Sequence, residues 1–97
     1  MVQESVEIAI DEAKAAEFEA AMREAKTLFI VAPGCTGFTL LRSVEKPGSY
    51  RLLIEWDTIA HHMDGFRNSD AFPKWRALVT PFLVDALSMQ HFNVVPV

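Results

Sequence analysis

Apolar and polar positions alternate from Val2 to Ile10, with Val2, Val6, Ile8 and Ile10 on one face and Gln3, Ser5 and Glu7 on the other. That period of two predicts a half-buried first strand. Asp11 is placed to cap the next run, where Phe18, Ala21, Met22, Ala25, Leu28 and Phe29 recur at helical spacing and Glu17, Glu19, Arg23, Glu24 and Lys26 fall elsewhere. Pro33 and Gly34 end this helix. Thr36 to Val44, rich in branched and aromatic residues, reads as a second strand, and the tight connection Lys46 to Ser49 leads into a third, Tyr50 to Asp57. The two should form a hairpin. Leu52, Ile54 and Trp56 share one face of the third strand while Leu53 lies on the other, and the second strand sets Phe38 and Leu40 against Leu41. A sheet with one wet face would alternate more cleanly.

Asp57 or Thr58 can cap a short helical run with Ile59, His62, Met63 and Phe66 on one side, weakened in its middle by Gly65. Asn68 or Ser69 opens a second run, in which Phe72, Trp75, Arg76, Val79 and Phe82 share a stripe. Pro73 is tolerated because it lies in the first turn, and Pro81 closes the run. The tail from Asp85 to Val95 reads as a less regular last strand, with Leu87, Met89 and His91 on one face. Strand, helix, strand, strand, helix, strand is the order of an α+β, ferredoxin-like βαββαβ fold, an antiparallel sheet with its helices on one face.

At 97 residues this is the length of one domain. Hydrophobic residues make up 51% of it and mean hydropathy is +0.15. So short a chain has too much surface to hide that much apolar side chain alone, and the second face of the sheet needs a cover. A homodimer, sheet against sheet, is the simplest expectation. Net charge is −4 and the nine Lys and Arg are scattered singly, so no basic stripe exists to neutralise phosphates. An RNA-binding domain of the same strand order would also stack bases on aromatics of its first strand, where VEIAI has none. No nucleic-acid partner is expected. The N-terminus lacks the basic start and apolar run of a signal peptide, and no apolar run approaches the roughly 20 residues of a membrane span. A cytoplasmic protein without membrane contact follows. Cys35 is the only cysteine, which leaves no internal disulfide and no multi-cysteine metal site.

With those residues placed, the chain resembles the antibiotic biosynthesis monooxygenase family of dimeric α/β barrels. The resemblance runs through PGCTGFTLLRS after the first helix, YRLLIEW, the segment HHMDGFRNSDAFPKW and a final strand with MQHF. It implies a pocket between sheet and helices, using a Trp near the end of strand three and an Arg on the last helix; Trp56 and Arg76 match those positions. The family's pocket Asn, four residues before that Trp, is Leu52 here, and its pocket Tyr, six residues after it, is His62. The haem-degrading branch fits poorly, because its Asn, Trp and His set would fall on a first strand without Asn, on Phe66 and on Arg76. No imidazole then stands at the iron-ligating position, which leaves no evident haem site.

What the resemblance implies is an oxygenase of a small aromatic, polycyclic phenol or quinol, using O2 and no bound cofactor or metal. Such a substrate reduces O2 itself once deprotonated, so the protein supplies an apolar pocket, a base and a fixed charge. His62 is the candidate base, since an imidazole with an ordinary pKa near 6.5 accepts a proton at neutral pH; the alternative is a hydrogen-bonded packing residue. Arg76 is the candidate charge for a phenolate or enolate, unless it snorkels to solvent or pairs with Asp70 or Glu55. Trp56 offers an indole donor and a flat wall, or simply core. Leu52, Phe66, Phe72, Trp75 and His91 complete the candidate ligand-contacting set. The competing expectation is a dimeric module that binds a small apolar ligand, or serves in a stress response, without turnover. Loss of the family's Asn and Tyr at Leu52 and His62 favours it.

Overall fold

In a computed structural model that describes all 97 residues, the elements follow the predicted order. They are β1 (Val2–Ala9), α1 (Ala15–Phe29), β2 (Cys35–Arg42), β3 (Ser49–Trp56), α2 (Ala71–Val79) and β4 (Ser88–Asn93). The antiparallel sheet runs β2-β3-β1-β4, and the helices cover one face, giving the α+β ferredoxin-like architecture. β1 is a central strand, paired to β3 through Val6 and Leu52 and to β4 through Glu4 and His91. Ser5, on the face of β1 opposite the helices, is only 7% exposed.

Asp11 Oδ1 accepts the Ala13 amide at 3.0 Å and so caps a short 3-10 turn, Glu12–Lys14, that leads into α1. Phe18, Met22, Ala25 and Phe29 then recur along one stripe of α1 and are buried, against Tyr50, Leu52, Ile54 and Trp56 from alternate positions of β3. Phe18 meets Tyr50 with ring centroids 4.7 Å apart, and Phe29 stacks on Phe66 at 4.3 Å and meets Trp75 edge-on at 5.4 Å. Each such buried side chain is worth roughly 1.5–3 kcal/mol against solvent exposure.

The connection from β2 to β3 has Gly48 at φ +84°, the left-handed region. A Cβ there would lie 2.4 Å from the carbonyl oxygen of Ile10, which is backbone and cannot swing away. Gly48 in turn accepts the Ile10 amide at 2.8 Å, pinning the end of β1 to the hairpin.

Two elements differ from the sequence reading. Asn68 and Ser69 do not cap α2: the Asn68 Nδ2 donates to the Asp64 carbonyl at 2.9 Å and the Ser69 hydroxyl to the Phe66 carbonyl at 2.6 Å. Both side chains are spent on the preceding turn, and α2 starts at Ala71. The last strand is shorter than Asp85 to Val95, pairing with β1 only from Ser88 to Asn93; the segment before it touches the end of β1 again only where the Val84 amide donates to the Ala9 carbonyl at 3.0 Å.

Candidate active site

Four elements converge at one end of the sheet. Glu4 lies on the helix-facing side of β1, between Val2 and Val6, and is only 5% exposed. Directly beside it in the sheet are Ile54 of β3 and His91 of β4. Above it passes the segment after β3. There Thr58 Oγ1 accepts the His61 amide at 3.2 Å, as a cap should, but the chain then winds as a π-helical turn, His61–Gly65. Turns of this wide winding are rare and occur often at functional sites. Gly34, at φ +82°, lets the loop before β2 press against it; a Cβ there would lie 2.3 Å from the His61 ring.

The turn aims His62 inward, 4% exposed and stacked on Trp56 with centroids 5.4 Å apart and planes 17° apart. Three short contacts string the buried groups together. Trp56 Nε1 donates to Glu4 Oε1 at 3.0 Å, His62 Nε2 lies 3.4 Å from the same oxygen, and His62 Nδ1 meets His91 Nε2 at 2.8 Å. Burial pushes the Glu4 carboxyl from the ordinary 4.5 up to about 7, although the Trp56 donor and the Arg67 charge pull the other way. Burial, then the neighbouring His91 and Arg67, pushes the His62 imidazole down to about 4. Burial also lowers the pKa of His91. Near neutrality His62 is therefore neutral and Glu4 partly protonated, so their contact is a hydrogen bond rather than an ion pair.

The hydrogen bonds allow two arrangements. With Glu4 protonated, its O–H donates to His62 Nε2 and the His62 Nδ1–H donates to His91. With Glu4 ionised, His62 Nε2–H donates to the carboxylate and His91 Nε2–H donates to His62.

Glu4 and His62 form part of the wall of a half-open cavity of about 170 Å³ under α2, lined also by Phe29, Phe66, Phe72, Trp75, Leu87 and Met89 with Val6 below. Arg67 and Arg76, both exposed, stand on its lining. The Arg67 guanidinium lies 5.6 Å over the Phe72 ring. Neither arginine lies within ion-pair distance of a carboxylate, so Arg76 pairs with neither Asp70 nor Glu55.

Of the residues singled out from the sequence, His62, Phe66, Phe72, Trp75 and Arg76 come together on this cavity. His91 backs His62 from behind. Trp56 and Leu52 are fully buried core residues outside the lining; Trp56 reaches the site through Glu4 and His62, and Leu52 touches none of its polar groups. Glu4 and Arg67 are absent from the sequence-derived set. Glu4 had a signal, a carboxylate at an apolar-face position of an alternating strand; Arg67 had none, its placement depending on the π-helical turn. No three His, Cys, Asp or Glu side chains gather closely enough to hold a metal ion.

The sequence profile described as Antibiotic biosynthesis monooxygenase matches residues 1–78. The chain belongs to that family. Among solved structures, a Bordetella bronchiseptica protein provisionally called an antibiotic biosynthesis monooxygenase shares 37% identity, covering 98% of this chain and 97% of its own, with a TM-score of 0.92. SnoaB, a cofactor-independent oxygenase from Streptomyces nogalater crystallised as a point mutant, shares the fold at a TM-score of 0.85 and 20% identity, covering 99% and 94% of the two chains. The uncharacterised protein YczJ of Bacillus subtilis is 34% identical over 93 residues, 96% of this chain and 98% of its own. Each of these three aligns along nearly the full chain. No helix of the fold is long and apolar enough to cross a membrane.

Proposed function

We propose that this family member is a cofactor-independent monooxygenase of a small aromatic quinol, working in the cavity under α2. One observation carries the reading: a buried carboxyl whose pKa is raised to about 7 faces an apolar, aromatic-walled cavity with two unpaired arginines on its lining. A base tuned close to the working pH is the most effective proton acceptor. Glu4 suits that task better than His62, whose depressed pKa makes it a weak base; His62 acts as the partner that holds Glu4 and shares its proton. In this reading the Glu4 carboxylate takes a hydroxyl proton, Arg76 offsets the negative charge left on the ring, and the electron-rich anion reduces O2. For a hydroquinone the substrate supplies all the electrons: one oxygen atom enters the ring to give a hydroxyquinone and the other leaves as water. A dry cavity of about 150 Å³ holds benzene, so a volume of about 170 Å³ suits one ring better than a polycyclic phenol.

Oxygen uptake with a panel of hydroquinones, autoxidation subtracted, tests this. Saturable uptake that disappears in His62→Ala and in Arg76→Ala is the expected result. If no quinol accelerates uptake over the blank, the site is a binding module and the oxygenase reading is wrong.

Two copies are also proposed to pair through the uncovered face of the sheet. Leu41 and Phe92 stand there 45% and 48% exposed and Leu53 is half-buried, side chains whose burial favours association. A light-scattering mass of twice the 10.9 kDa chain is expected at micromolar concentration; a monomer mass independent of concentration would rule the pairing out.

A further inference from the structure

The charge on the cavity lining narrows what enters it. The chain as a whole carries −4, yet this one cavity has two guanidiniums on its lining and a single acidic residue, Glu4. That acid is buried and half-protonated near neutrality, so it does not cancel them. The two arginine–carboxylate ion pairs of the molecule lie elsewhere. Elsewhere on the surface the arginines that do pair, Arg42 and Arg51, have carboxylates at 2.8 and 2.6 Å. Arg67 is held in place by its seat over Phe72, and Arg76 projects from the same helix as the wall residue Trp75.

An uncharged quinol would need at most one positive charge, for the phenolate that forms on deprotonation. The second guanidinium would then stay unused beside an apolar cavity. A ligand that arrives with one anionic group and develops a second charge on its hydroxyl accounts for both. We propose that the ligand is a single aromatic quinol ring that also bears a carboxylate, a hydroxybenzoate-class anion. Its ring fills the aromatic box, its carboxylate meets the arginines in the planar, forked geometry that guanidinium favours, and one hydroxyl points to Glu4 and His62. This deepens the oxygenase reading and rests on it for the use made of the ligand, but not for the binding itself.

Binding is therefore measured with probes that do not oxidise. 4-Hydroxybenzoate, 4-methylphenol and tyramine share the ring and hydroxyl and carry, in turn, a negative, a neutral and a positive substituent; Trp75 fluorescence reports their binding. At 0.1 M salt 4-hydroxybenzoate is expected to bind at least tenfold more tightly than 4-methylphenol, with tyramine weakest. In the double variant Arg67→Gln, Arg76→Gln the ratio of the first two affinities is expected to collapse to within about twofold. The ratio separates charge recognition from damage, because a spoiled cavity weakens both ligands alike. Equal affinities in the native protein, tighter binding of tyramine, or a ratio that survives in the double variant would overturn the proposal. Anion-selective binding together with no quinol-dependent oxygen uptake would leave this inference standing and sink the oxygenase reading alone.

Discussion

Replacing Glu4 by Gln is expected to make the protein more stable at pH 8 by roughly 3 kcal/mol, while lowering quinol-dependent oxygen uptake by about 10²–10⁴-fold. The stability gain follows from the raised pKa. Glu4 titrates near 4.5 in the unfolded chain and at about 7 in the folded one, so its contribution to stability is fully present below pH 4.5 and is lost as pH rises through 7. Gln stays neutral throughout and retains an amide oxygen for the Trp56 indole and an N–H for His62. Below pH 4.5 the variant and the parent should converge. His62 works in the opposite direction: its folded pKa is lowered to about 4 from 6.5, so its contribution is present above pH 6.5 and is lost as pH falls through 4. The two slopes offset each other in the parent. Glu4→Gln exposes the second alone, and its stability should climb between pH 4 and 6.5. Urea unfolding across that range reads both effects, and a variant less stable than the parent at pH 8 would show that the carboxyl is not held near 7 by burial. Gln cannot accept a proton, which is why activity should fall as stability rises; buried, strained chemistry at active sites commonly carries that trade-off.

The fold was legible because its signals are local and periodic. Val2, Val6 and Ile8 mark the buried face of β1; Phe18, Met22, Ala25 and Phe29 mark that of α1; and Leu52, Ile54 and Trp56 that of β3. All of these are buried, as their spacing predicts. The site was legible where its residues sit on the same stripes, as His62, Phe66 and Trp75 do. What could not be read is the pairing across elements. The contact of His62 with His91 spans 29 residues and depends on the register that sets His91 beside Glu4 on adjacent strands. No periodicity in either segment fixes that register. The π-helical winding of His61–Gly65 was hidden for another reason: the spacing Ile59, His62, Met63, Phe66 suits an ordinary helix, and nothing local in it signals the close approach of His61 to Gly34. Arg67 reaches the cavity through that turn. Glu4, by contrast, was visible in the alternation and says that an acid on an apolar face should be read as a site before it is read as noise.

The chain of contacts makes Trp56 the residue on which the site's stability most depends, and Trp56→Phe the variant that shows it. The indole is fully buried, stacks on His62 and gives Glu4 the hydrogen bond that holds its pKa from rising further. Phenylalanine keeps a ring against His62 but removes the donor and leaves a void. The void costs part of the ~3–5 kcal/mol of a full Trp truncation at any pH, whereas the hydrogen bond is worth about 0.5–1.5 kcal/mol to the neutral carboxyl and about 1.5–3 kcal/mol to the carboxylate. The penalty should therefore be larger at pH 8 than at pH 5 by that difference, about 1 kcal/mol, because the folded pKa of Glu4 climbs above 7 and stability is lost over a wider span of rising pH. Adding Glu4→Gln to Trp56→Phe should abolish the pH-dependent part and leave only the void, a coupling that a double-mutant cycle measures directly. If the Trp56→Phe penalty is the same at both pH values, the indole packs against Glu4 without controlling its charge. The proton would then be governed by burial and His62 alone.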